Sequence, residues 1–483
     1  MQDEPTLSRV LLGLGSPEYM SSPEGLMSAL AWRGDSLRAE KSAVGLIYEG
    51  KTTRSAGRTV IETRPAREAD SQHLARALRD SGLSIDLDSL RDDWILPEAI
   101  FNSVRGARAK ASKARTVAPM TPGLARLQNP VGMVNKNNPA PYGRIIEMMF
   151  LYGSPSQEET PRPLARDRWL QSTADQLRGN SLLAAIDSLS IAVLNDRLRD
   201  TGIEVVKSSG EQPLTEPPAQ VQSAETPYKW FNHAWTLLTR EDWRKALSPR
   251  VWTDWLLTVL RMAFSMGFLW EMRYYGSIGH WILGGSNDRL EQFLDGTIPL
   301  IPWVDSSTPN SQRNVQPIIR DVVRQGIAVR EFLRDQQGNH GDELLTDAVS
   351  IIRSNAQSMS ELESLFDDIR QNDARGAKTM YESIFYSLRE RESSDGGQDY
   401  YALIRKMSNR TAVISPGVEW IALMASIACG NPGGEANLRE LNAQLNQVGL
   451  HPPVHDLIHL LEIAGLANGS ADADEGVRIQ SAY

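Results

Sequence analysis

His455 and His459 stand four residues apart in a stretch that reads as helix, a spacing at which one helical face can offer two imidazoles to a zinc ion. His451 extends the series, but Pro452 and Pro453 break the helix before it. The residue after His455 is Asp456, so the His-Glu-x-x-His order of a zinc protease is missing. Exposed helix histidines account for the pair, and no metal is assigned. Asp472 and Asp474 lack the later oxygen ligands of a calcium loop. A thiol nucleophile needs a base and an electropositive setting. Cys429, the single cysteine, is flanked by Ala425, Ile427 and Ala428, which predicts a buried structural thiol. It also excludes an internal disulfide and fits a reducing cytoplasm. Gly13 and Gly15 form a lone Gly-x-Gly, and no nucleophile elbow, Walker loop or kinase set is present. No catalytic residue and no cofactor follows from these residues.

A second group could bind phosphates. Arg105, Arg108, Lys110, Lys113 and Arg115 lie together with no acid among them. Cations so placed supply sequence-independent affinity for nucleic acid. The other reading is a solvated helix end running into a flexible loop, since residues 116–143 are rich in Pro, Asn and Gly. No aromatic interleaves the cations, so there is no stacking platform for a single strand. The formal net charge of −9 argues against a protein coated in nucleic acid and leaves room for one local patch.

The elements that must position these groups are helical. Of 12 tryptophans, Trp230, Trp235, Trp243, Trp252, Trp255, Trp270 and Trp281 fall between Tyr228 and Leu283. Thr226-Pro227 and Ser248-Pro249 read as a cap followed by a proline in the first turn, and Thr239 as a further start. From Val251 to Trp270 the chain is apolar almost all round, which suits a membrane span or the central helix of a large soluble α domain. Asp254 and Arg261 inside the run cost about 2.5–3.5 kcal/mol each at a bilayer centre, favouring the soluble helix. Both fall on one face and call for polar partners. The opening Met1–Gly15 lacks the basic start of a signal peptide.

In order, the chain divides into an α+β region (1–104), the basic and Pro/Asn-rich loop (105–143), a helical segment (144–207), a linker (208–227), a Trp-rich helical core (228–410) and a C-terminal module (411–483). The first region holds a small hairpin between 43–50 and 58–64, and amphipathic helices at 67–79 and from 97. The module reads as three helices, the last from Pro453 to Ala464, then two short strands from Leu466 to Tyr483 around the acidic turn at Asp472–Gly476. The fold class is thus mostly α, with multi-helical domains.

Three helices followed by a hairpin resemble a winged helix-turn-helix domain. In DNA-binding members the third helix enters the major groove with basic or amide side chains. Here its polar positions are His455, Asp456, His459 and Glu462, beside Asp472, Asp474 and Glu475 of the expected wing. That favours a protein-binding use, with His455, His459 and Glu462 at the partner surface. With the Trp-rich core, this tail resembles accessory subunits of bacterial phage-defence systems. The resemblance implies a cytoplasmic, non-enzymatic scaffold or adaptor beside an ATPase, nuclease or methyltransferase, with no membrane role. The alternatives are a DNA-binding component using residues 105–115, and an enzyme with an unrecognised active site.

Overall fold

Both Pro-marked helix starts are real. Thr226 Oγ1 accepts a hydrogen bond from the Lys229 amide at 3.3 Å, with Pro227 in the first turn, and opens Pro227–Leu238. Ser248 Oγ accepts from the Val251 amide at 3.4 Å, with Pro249 following, and opens the central helix Pro249–Ile282. At 1.5 Å per residue this helix is about 51 Å long. The structure, a computed structural model, describes residues 5–17, 23–38, 53–55, 58–60, 80, 105–108, 115–127, 142–155, 164–201, 204–207, 214–368, 377–391, 399–469 and 477–483.

The central helix is buried on nearly every side because its apolar residues do not keep to one stripe. Helices Glu24–Ala31, Tyr142–Tyr152, Pro227–Leu238, Asp288–Leu294, Gln316–His340 and Ala377–Leu388 pack around it. Trp230, Trp235, Trp243, Trp252 and Trp255 are fully buried. Trp270 stacks on Tyr274 at 5.3 Å and meets Tyr228 edge-on at 5.7 Å. One continuous apolar core runs from Leu7 to Ile479. Among the described residues no single helix is long and apolar enough to cross a membrane.

The two charges inside the central helix have separate partners. Asp254 pairs with Arg250 one turn earlier, Nε to Oδ2 at 2.9 Å. Arg261 crosses to the end of Ala377–Leu388 and the residues beyond it, donating to the carbonyls of Ser387 (2.7 Å) and Arg389 (3.1 Å) and to both oxygens of Asp399 (3.4 and 3.1 Å). Asp399 Oδ2 also faces Arg391 Nε at 3.3 Å, and Arg391 reaches Glu24 Oε1 at 2.7 Å.

The C-terminal segment comprises helices Val418–Cys429, Leu438–Val448 and Val454–Ile463 and strands Glu435–Asn437, Ala467–Gly469 and Val477–Gln480. The last strand lies in the middle and pairs antiparallel with both others. Asn437 closes a reciprocal capping box with Glu440, at 2.9 Å in both directions. Gly430 (φ 77°) and Gly449 (φ 86°) end the first two helices in the left-handed conformation that glycine tolerates.

The chain is mostly helical, as its periodicity predicts. Its strands are the less legible part. Ile404–Lys406 pairs with Ala412–Ile414, and Asp35–Arg38 with Glu204–Lys207. Strands of three or four residues are too short to display alternation. In the expected N-terminal hairpin the described pair is Thr53–Ser55 with Arg58–Val60; residues 43–50, 61–79 and 97–104 lie outside the described residues. Thr239 ends a helix instead of starting one, its hydroxyl donating to the Trp235 carbonyl at 2.7 Å, and the next helix starts after Arg240. In the stretch read as a linker, Ala219–Ser223 is helical, with Val221 buried in the core.

Gly326, in Gln316–His340, lets that helix approach the central one. A Cβ there would stand 2.5 Å from Met272 Cα and its carbonyl oxygen, whereas one at Gly338 of the same helix would meet nothing within 4 Å. Gly326→Ala should therefore destabilise by about 1–3 kcal/mol through overpacking. Gly338→Ala should stabilise by about 0.5–1 kcal/mol through helix propensity. Paired urea titrations of the two variants read the contrast, and equal effects would contradict the close approach.

Candidate functional site

The helix Val454–Ile463 has a buried face and an open one. Leu457 and Leu461 turn inward, while Val454, His455, His459, Glu462 and Ile463 are exposed. His455, His459 and Glu462 thus share the outer surface that the sequence assigns to a partner. Val454 and Ile463, each 57 % exposed, add apolar area at its two ends. No lysine or arginine lies in Val454–Ile463.

At the start of this helix, His455 Nε2 stands 3.0 Å from Asp305 Oδ2 and 3.2 Å from Asp456 Oδ1. These three atoms are close enough to share a divalent cation. The polar groups are satisfied without one. His455 Nε2 lies between the two carboxylates, and Asp456 accepts from the Ser306 amide at 3.0 Å and from the Ser306 hydroxyl at 2.5 Å. Ser307 donates its amide to Asp305 at 2.7 Å. The cluster therefore fastens the loop around Ser306 to the last helix. His459, one turn on, is not part of it.

The basic cluster is divided. Arg105–Arg108 pairs antiparallel with Arg115–Val117, setting Arg108 opposite Arg115 and Arg105 opposite Val117. A helix end at this place is replaced by a strand pair. Lys110 and Lys113 lie outside the described residues, as does the acidic turn 472–475. Cys429 is buried; its thiol faces the Ile479 carbonyl at 3.6 Å, and burial, then Glu440 and Glu435, push it up to about 11. It is no nucleophile near neutral pH.

Two groups on the central helix escape a sequence reading centred on tryptophan. Glu271 is 1 % exposed. The Tyr275 hydroxyl donates to its Oε1 at 3.1 Å and accepts from the Leu12 amide at 2.9 Å, while Tyr152 donates to the Leu12 carbonyl. Oε2 has no hydrogen-bond partner among the described groups. Burial pushes Glu271 up to about 7, against the opposing pull of Arg330, the Tyr275 hydrogen bond and Arg334. The signal was a single acid inside Phe268–Tyr275. The second group is Arg273, Ser277 and His280, spaced along one helical face.

A raised carboxyl pKa adds stability that is complete below pH 4.5 and is lost as pH rises through about 7. Glu271→Gln removes the ionisation. It should match the wild type near pH 4.5 and exceed its stability by about 3 kcal/mol at pH 8, as the size of the shift requires. Chemical denaturation at the two pH values measures this, and a pH-independent difference would reject the assignment. At the last helix, Asp456→Ala strands the Ser306 donors and should cost about 1–3 kcal/mol. His455→Ala, removing an exposed partner, should cost under about 1 kcal/mol. Melting curves of both variants decide this.

No protein-family model and no curated protein sequence matches this chain.

Proposed function

We propose that the chain is a non-enzymatic scaffold or adaptor subunit whose C-terminal module docks a protein partner through the outer face of Val454–Ile463. One observation carries this reading. The face joins exposed Val454 and Ile463 to His455, His459 and Glu462 and holds no cationic residue of its own helix. Phosphates find no counter-charge there, whereas an apolar surface with a polar rim suits a protein partner. The order helix, strand, helix, helix, strand, strand, with the last strand central, supports the winged-helix reading of the module. The resemblance to phage-defence accessory subunits supplies the setting, a cytoplasmic bacterial complex. A DNA-binding component is the second reading, favoured by the pairing of Arg108 with Arg115 across one strand pair.

The test is purification of the tagged full-length chain from its native host, with and without nuclease. It is repeated for Val454→Asp/Ile463→Asp and for a control at exposed Leu182, Leu182→Asp. The expected result is a stoichiometric protein partner that survives nuclease, is lost with the double variant and persists with the control. Circular dichroism confirms that each variant is folded. Recovery of nucleic acid alone, or of the chain alone, overturns the adaptor reading. An unchanged partner on the double variant moves the docking face elsewhere.

A further inference from the structure

On the flank of the central helix, Arg273, Ser277 and His280 follow the i, i+4, i+7 spacing of one helical face. Together with Arg289 from Asp288–Leu294 and Gln325 from Gln316–His340 they line a cavity of about 30 Å³. Met272 and Val322 form its apolar floor. No aspartate or glutamate is among the described residues that line it. Arg273 Nε is sealed from solvent and meets no acceptor among the described groups. Burial, and then the like charge of Arg289, hold the Arg273 guanidinium below its ordinary range. The same two causes, with Arg273 added, lower His280.

The arrangement is electrostatically incomplete. Folding ordinarily closes a buried cation with carboxylates or carbonyls, as it does at Arg261 on the same helix. Here half-buried Arg273 and His280 and exposed Arg289 border one small space, with a carboxamide and the Ser277 hydroxyl, which donates to the Arg273 carbonyl at 2.9 Å, beside them. A planar fork of N–H donors matches the oxygens of a tetrahedral oxyanion, and charge-assisted hydrogen bonds of this kind are the strong ones. The free space bounded by these side chains is small, which favours a compact anion.

We propose that this pocket binds a phosphoryl group, as inorganic phosphate or as the end of a small phosphomonoester, held by Arg273 and Arg289 with Ser277, His280 and Gln325 around it. The site is independent of the docking face on the last helix.

Isothermal titration of the full-length protein with inorganic phosphate, at fixed pH and ionic strength in chloride, tests this directly. The wild type should bind one equivalent. Arg273→Gln and Arg289→Gln should each weaken binding by about tenfold or more, the loss of one charged hydrogen bond. Arg199→Gln, at an exposed side chain of a helix that contributes no residue to the pocket, should bind like the wild type. Arg289 is on the surface, so Arg289→Gln keeps the test decisive should Arg273→Gln fail to fold. Glycerol phosphate binding as tightly as phosphate identifies a phosphomonoester ligand; weaker binding identifies the free ion. Absence of a one-to-one isotherm for both ligands, or unchanged affinity in Arg289→Gln, overturns the proposal.

Discussion

A guanidinium inside an apolar helix bundle must be closed by the protein itself, and Arg261 is the point at which this fold meets that demand. Only 3 % of its side chain is exposed. Burial lowers its pKa, and Asp399 opposes that. Asp399 is held well below the usual carboxylate range because Arg261 and Arg391 outweigh the cost of burying it. Arg391 in turn is held up by Glu24 and Asp399 against burial. Two positive and two negative groups thus sum to zero in the interior. Such a set adds little net stability over an apolar replacement, but removing one member leaves an unpaired buried charge costing about 3–5 kcal/mol. What it adds is register. Apolar packing alone tolerates sliding, whereas this set locks Glu24–Ala31, the central helix and residues Ser387, Arg389, Arg391 and Asp399 into one alignment.

The same helix carries two polar stations that are not closed in this way among the described residues. At Arg261 both guanidinium edges and both carboxylate oxygens of Asp399 are used. At Glu271 one oxygen is bonded and the other has no partner among the described groups, so the burial penalty remains in the pKa. At Arg273 and His280 no carboxylate among the described residues lines the cavity, and Arg289 adds to burial in disfavouring the charge of both. A sequence under selection for stability alone replaces such groups with apolar ones. Glu271 and Arg273 are exceptions to that rule within a helix buried on nearly every side.

Much of the scaffold was legible because its signals are local. Thr226-Pro227 and Ser248-Pro249 each combine a cap and a first-turn proline within two residues, and the helices start there. Cys429 among small apolar residues is buried as read. The exposed histidines of the last helix follow from periodicity. The partner of Arg261 was not legible, because Asp399 lies 138 residues away along the chain. Nor was the cation pocket. Arg273, Ser277 and His280 carry a readable spacing, but Arg289 and Gln325 come from other helices, and only packing brings the set together. The short strands failed for the opposite reason, since three residues hold too little pattern.

The C-terminal module is seated on the Trp-rich core by contacts that use its inner surfaces. Trp243 Nε1 donates to the Gly430 carbonyl at 3.2 Å, Trp255 meets the Tyr483 ring at 5.6 Å, and Trp303 meets Trp420 at 6.4 Å. The Leu300 amide donates to the Gly449 carbonyl at 2.9 Å. These bonds leave the outer face of Val454–Ile463 free and join it, through Asp456 and Ser306, to the loop that carries Trp303. The first turn of that helix is tied to one loop twice, His455 to Asp305 and Asp456 to Ser306. A partner docking there as proposed would meet a helix already ordered by packing, and its binding energy would not be spent on ordering a tethered tail.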